Sequence, residues 1–321
     1  MTMDYSLLRI DQYQATELEA LPEWDIFISA YNESQRVITV FDSVRAQRKE
    51  WVIHPEYDFE DGELPKTGVV RVLHTRDEAE FWHDYFSEAD FHNLPRDSRI
   101  CVDVTGFMRP HLMLLPRMLR LLGFAQLDIV YSDPREYQSG EKTQFSKGAV
   151  TEVRQIRGFE GTHLPSGDED LLVIGAGYDD DLIRRVSEDK RAARKLMMFG
   201  LPSLQPHMYE ENRLRAARAE EAVGPLPARS LLFAPANNPF ATAQELHDKI
   251  QQLRSTGFTN LYFSPLGTKA QALGFALYYL CECVGSSASV VFPFAEYYTR
   301  ETSIGLARVW CYRVELDWLN V

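Results

Sequence analysis

The residues best suited to chemistry in this chain lie in short turns that follow apolar, strand-like runs. Ser264-Pro265-Leu266-Gly267-Thr268-Lys269 is one such turn, and it leads into a long apolar stretch. A Gly-Thr-Lys turn opening a helix offers backbone N–H groups, a hydroxyl and an ammonium close together, the parts that hold a phosphate or another anion. It is not a P-loop, because the upstream glycine of that motif is absent. The matching turn earlier in the chain is Thr105-Gly106-Phe107-Met108-Arg109, with Arg109 placed roughly where Lys269 stands. Each turn can equally be a glycine-enabled strand-to-helix connection with a solvated basic residue.

Other polar groups fall at equivalent places. Tyr31-Asn32-Glu33-Ser34 follows the first strand-like run of the chain, and Gly175-Ala176-Gly177-Tyr178-Asp179 follows a similar run later. Gly175 and Gly177 begin like a dinucleotide fingerprint, but Asp180 and Asp181 stand where the third glycine would be approached. Carboxylates at a helix start oppose phosphate, so a nicotinamide cofactor is not expected, and capping by Asp179 or Asp180 explains the acids better. Asn237 and Asn238 lie between a strand and a helix, where one can cap the helix and the other can meet a ligand. His54, Glu56 and His74 are the acid–base candidates, since a histidine near a carboxylate can move protons, although histidines beside prolines are commonly plain loop residues. No metal-ligand spacing such as HExxH, no Walker motif and no local nucleophile arrangement occurs, so neither a metal nor a cofactor is expected.

The elements that must position these residues repeat along the chain. Asp25–Ala30 and Asp170–Gly175 are apolar runs after an acid, each followed by a polar turn, a segment of helical periodicity, a basic stretch and a second apolar run at Trp51–His54 or Leu196–Phe199. The spacing is equal: 170 minus 25 and 196 minus 51 both give 145. Val69–His74 with the helix Asp77–Phe86 then matches Ser230–Ala234 with Ala241–Leu253, and Arg99–Val104 with His111–Leu122 matches Asn260–Ser264 with Ala270–Val284. The last runs, Val150–Ile156 and Arg308–Leu316, alternate like edge strands. Strands alternating with helices predict mainly parallel, doubly wound sheets. The expected architecture is therefore α/β: two tandem Rossmann-like units from an internal duplication, cores near 25–157 and 170–318. The expected domains are 1–157 and 170–321, with 158–169 as linker and an insertion near 201–227 that could serve as a lid or partner surface.

Composition bounds the partners. The chain has 321 residues, 45% of them hydrophobic, and a net charge of −13. That charge disfavours bulk DNA or RNA but not a small anion in a cleft. No apolar run of about 18 residues occurs, which argues against a membrane span. The four cysteines show neither CxxC pairing nor disulfide density, as expected in a cytoplasmic protein, and Cys281 and Cys283 read as helix packing.

The strand that ends in Gly267-Thr268-Lys269 before a long helix resembles the CARF and SAVED ligand-sensing domains, which behave as two Rossmann-like units in one chain. Thr105-Gly106 with the displaced Arg109 departs from that turn. The resemblance implies a regulatory sensor of a nucleotide-like anion in a defence-type signalling system, acting with a separate effector protein or as a homo-oligomer. Two rivals stand beside it: a hydrolase of a nucleotide or cyclic oligonucleotide, and a structural subunit of a complex.

Overall fold

The computed structural model describes residues 3–5, 8–137, 146–165, 169–255, 257–300 and 303–321; part of the expected linker, 166–168, lies outside them. In chain order the first elements are β1 (Ile10–Gln14), β2 (Glu23–Ala30), α1 (Gln35–Ser43), β3 (Arg45–Ile53), β4 (Val69–Val72), α2 (Glu78–Glu88), β5 (Ile100–Asp103), α3 (Arg109–Leu121), β6 (Gln126–Asp133) and β7 (Glu136–Tyr137). Then follow β8 (Ser146–Gln155), β9 (Leu171–Gly175), α4 (Asp180–Asp189), β10 (Arg194–Gly200), α5 (Met208–Arg218) and α6 (Glu220–Val223). The chain closes with β11 (Leu231–Ala234), α7 (Pro239–Arg254), β12 (Leu261–Pro265), α8 (Lys269–Glu282), β13 (Ala288–Tyr298), β14 (Ser303–Ile304) and β15 (Arg308–Glu315).

The fold is α/β, with two largely parallel Rossmann-like sheets. Among the described residues the first sheet has seven strands in the order β1-β15-β6-β5-β2-β3-β4, and the second has six in the order β11-β10-β9-β12-β13-β8. Matching β2 to β9, β3 to β10, β4 to β11, β5 to β12 and β6 to β13 puts these five strands in the same order in both sheets, as a duplicated unit requires, while β1 has no counterpart. The central strands β2, β3, β4, β5 and β6 pair in parallel, as do β9, β10, β11, β12 and β13. Ile26, Phe27 and Ile28 of β2 and every residue of β9 are buried, the continuous burial of parallel strands covered on both faces.

The sixth strand of each sheet comes from the other half of the sequence. β8, expected to close the first unit, belongs to the second sheet: Thr151 Oγ1 donates to the Phe294 carbonyl at 3.1 Å and Ile156 N–H to the Val290 carbonyl at 2.9 Å. β15, expected in the second unit, lies in the first sheet, antiparallel to both β6 and β1. The first compact unit thus comprises residues 8–137, 297–300, 303–319 and 321, and the second 3–5, the described residues of 146–296, and 320. Side chains fix the placement of β15. Asp128 of β6 accepts from Arg313 at 2.9 Å and from Trp24 at 2.8 Å, while Asp133 accepts from Trp310 at 2.8 Å and pairs with Arg308 at 3.2 Å.

The basic stretch Arg45–Lys49 is the start of β3, because α1 stops at Ser43. The run from Val130 to Tyr137 is broken into β6 and β7, and β7 pairs with β14. No helix among the described residues is long and apolar enough to cross a membrane.

A buried ionic network braces the far side of the first sheet. Glu50 of β3 is fully buried and accepts from Arg71 at 2.6 Å and Tyr85 at 2.9 Å, with Arg48 at 2.8 Å. Removing one partner of such a cluster strands the other charges in low dielectric. Glu50→Ala is therefore expected to cost about 3–5 kcal/mol, read as a fall in the urea midpoint with an unchanged slope.

Candidate functional site

In a doubly wound sheet, ligands enter beyond the carboxyl ends of the strands, where neighbouring crossovers diverge. In the first unit that point lies between β2 and β5, and in the second between β9 and β12. Tyr31 and Asn32 follow β2, Thr105, Gly106 and Arg109 follow β5, Gly175, Gly177 and Tyr178 close β9, and Ser264, Gly267, Thr268 and Lys269 close β12. The sequence therefore placed these residues at the correct sheet edges.

Their side chains are mostly spent on structure. Thr268 is the N-cap of α8: its Oγ1 accepts from Gln271 N–H at 3.1 Å, its own N–H donates to Gln271 Oε1 at 3.3 Å, and its hydroxyl donates to the Ala236 carbonyl. This reciprocal capping box engages two of the amide donors an anion would need. Gly267 lies against the Gln271 side chain, and Lys269 is the first residue of α8. Asn238 caps α7 through Phe240 and Ala241 N–H at 3.0 and 2.9 Å. Asp179 stands at the N-cap of α4 without a side-chain capping bond, contrary to the capping expected of it.

The glycines serve close packing. A Cβ on Gly106 would lie 1.9 Å from the Ala30 carbonyl, and one on Gly177 would lie 1.9 Å from the Leu266 carbonyl. Gly106 thus packs its backbone against the end of β2, and Gly177 packs against the loop that follows β12. Tyr178 is buried, its carbonyl accepting from Arg215 of α5 and its ring lying 4.8 Å from that guanidinium, so the 201–227 insertion packs onto this edge. Ser264 is buried inside β12. Thr268→Ala is accordingly expected to lose about 1 kcal/mol of stability through the missing cap, a cost that a thermal melt resolves.

A different cluster gathers at the carboxyl edge of the first sheet. His54 follows the last residue of β3, Glu56 sits in the short 3-10 turn Pro55–Tyr57, and His111 occupies the first turn of α3. One ligand-type atom from each of the three lies within 4.8 Å of the others. His54 and His111 are 0% and 1% exposed, and Glu56 is 6% exposed. His54 Nδ1 stands 3.7 Å from Glu56 Oε2, and the two imidazole centroids are 4.7 Å apart. Burial pushes the Glu56 carboxyl up, but the neighbouring imidazoles of His54 and His111 outweigh it and hold the group below its ordinary value.

Aromatic rings wall the cluster. Phe81 of α2 stacks on His54 at 4.6 Å and meets His111 at 4.4 Å, while Phe107 stands edge-on to His54 at 5.2 Å. Tyr57 donates its hydroxyl to the Gly106 carbonyl at 2.8 Å, tying the turn that carries Glu56 to the loop after β5. Burial pushes the Tyr57 hydroxyl up to about 12, so it stays a proton donor. Two of the three acid–base candidates, His54 and Glu56, thus come together. His74, in the loop after β4, is exposed and lies outside the cluster. His111 was missed, because within Arg109–Leu121 it reads as one polar position on an apolar helix.

No family model matches the chain, and no curated protein does. Among solved structures the chain is similar to CobK precorrin-6A reductase at 15% identity, with 79% of this chain and 84% of that one covered and a TM-score of 0.24. The expectation of a nucleotide-sensing regulator, with a nucleotide hydrolase as rival, is corrected here. Its physical basis fails, because the Gly-Thr-Lys turn is a capping box.

Proposed function

We propose that this protein is a metal-dependent enzyme whose centre is formed by His54, Glu56 and His111 at the carboxyl edge of the first sheet. One observation carries the reading: the end of β3, the turn after it and the first turn of α3 bring two imidazoles and a carboxylate within 4.8 Å. Two neutral imidazoles and one carboxylate form a ligand set suited to zinc or iron, leaving coordination positions for a substrate or water. Bonds of about 2.0–2.2 Å to such an ion need only a small inward movement of these side chains. The ion would supply Lewis-acid polarisation of a bound oxygen. Glu56 offsets part of the ion's charge, and the rings of Phe81 and Phe107 keep the surroundings poor in water, where each electrostatic contact gains strength.

The test is metal analysis of protein purified without chelators and then exposed to Zn²⁺, Co²⁺ and Fe²⁺ in turn. The expected result is a single tightly held equivalent of one of these ions per chain. Protein that stays metal-free after all three additions contradicts the reading, and the His54–Glu56 pair is then a packed ionic contact.

A further inference from the structure

The turn carrying Glu56 is gripped from outside by one side chain. Arg300, which follows β13, donates Nε–H to the Tyr57 carbonyl at 2.7 Å and a second N–H to the Asp58 carbonyl. Its remaining terminal nitrogen binds both carboxylate oxygens of Glu63 at 3.0 Å, and its guanidinium carbon lies 4.1 Å from the centre of the Phe59 ring. A single guanidinium thereby engages residues 57, 58, 59 and 63 of one short segment. That segment needs a fastener: Asp58 adopts a left-handed backbone at φ 50°, and the Glu60–Glu63 capping box organises only its far end. Glu56 lies between this grip and His54, whose carbonyl accepts from Tyr57 N–H at 3.2 Å.

We infer that Arg300 is a positioning residue for the metal centre, holding the 57–63 segment so that Glu56 faces His54 and His111. The inference rests on the reading of those three residues as metal ligands. The planar fork of arginine satisfies two carbonyls, a carboxylate and a ring face together, which a lysine ammonium cannot do. With the grip removed, the turn gains conformational freedom and the Glu56 carboxylate is no longer held ready, while His54 stays at the end of β3 and His111 on α3.

The test titrates Co²⁺ into wild-type protein, Arg300→Ala, Arg300→Lys and Glu63→Gln, reading the visible ligand-field bands and the melting temperature of each metal-free protein. Loss of a partner that orients a metal ligand typically weakens metal binding by about 10–100-fold. Arg300→Ala is expected to show that loss together with an altered band pattern, Arg300→Lys to fail to restore either, and Glu63→Gln to fall between. Should the Arg300 variants not fold, Glu63→Gln alone decides, since it breaks the exposed end of the grip. Variants that melt lower but bind Co²⁺ with wild-type affinity and spectrum overturn the positioning role and leave the metal reading intact. A wild-type protein with no Co²⁺ bands that also holds neither Zn²⁺ nor Fe²⁺ overturns both.

Discussion

Replacing His111 with alanine should abolish tight metal binding while leaving the protein folded. His111 projects from the first turn of α3 and is 1% exposed, so the substitution removes an imidazole from a packed site without touching a strand. Even partners that only orient a ligand are typically worth about 10–100-fold in affinity, so loss of a ligand is expected to exceed about 100-fold. The cavity left beside Phe81 and His54 lowers stability as well, by about 2–4 kcal/mol on the scale of large-to-small core changes. Calorimetric titration of Co²⁺ separates the two effects, because affinity is read on folded protein. His74→Ala, altering an exposed residue outside the cluster, should leave Co²⁺ affinity at the wild-type value.

A chain ending at Ala307 should fail to fold its first unit although every strand from β1 to β6 is present. It lacks β15, whose eight residues pair with β6 on one side and whose first five pair with β1 on the other. Val309, Tyr312 and Val314 of β15 are almost fully buried. Each such side chain contributes about 1.5–3 kcal/mol, together comparable with the 5–15 kcal/mol net stability of a whole domain. The deletion also strands Asp128 and Asp133, 6% and 3% exposed, without Arg313, Arg308 and Trp310. Hydrogen exchange should show unprotected amides in β2, β5 and β6 beside protected ones in β9, β10 and β12. Equal protection in both sheets would contradict the assignment of β15 to the first unit.

Much of the fold was legible because βαβ order is written locally. The apolar runs that became β2, β3, β9 and β10 recur at one offset, and their loops were correctly placed at the sheet edges. Partner choice for the edge strands was not legible. Alternation marks 150–156 and 308–316 as strands, but which sheet each joins is decided by contacts such as Asp128–Arg313, nearly two hundred residues apart in sequence. The capping role of Thr268 was readable, since Thr268 followed three residues later by Gln271 is a capping-box pattern. At the proposed centre, His54 and Glu56 drew attention because they are neighbours in sequence. His111 did not, because only the packing of α3 against the end of β3 joins it to them.

The central claim is that His54, Glu56 and His111 bind one ion together. Anomalous diffraction from crystals of zinc-loaded protein, collected on both sides of the zinc absorption edge, tests it most directly. The account predicts one strong anomalous peak within about 2.0–2.2 Å of an imidazole nitrogen of each histidine and a carboxylate oxygen of Glu56. A map with no peak among these residues, or with its peak elsewhere in the chain, would contradict it.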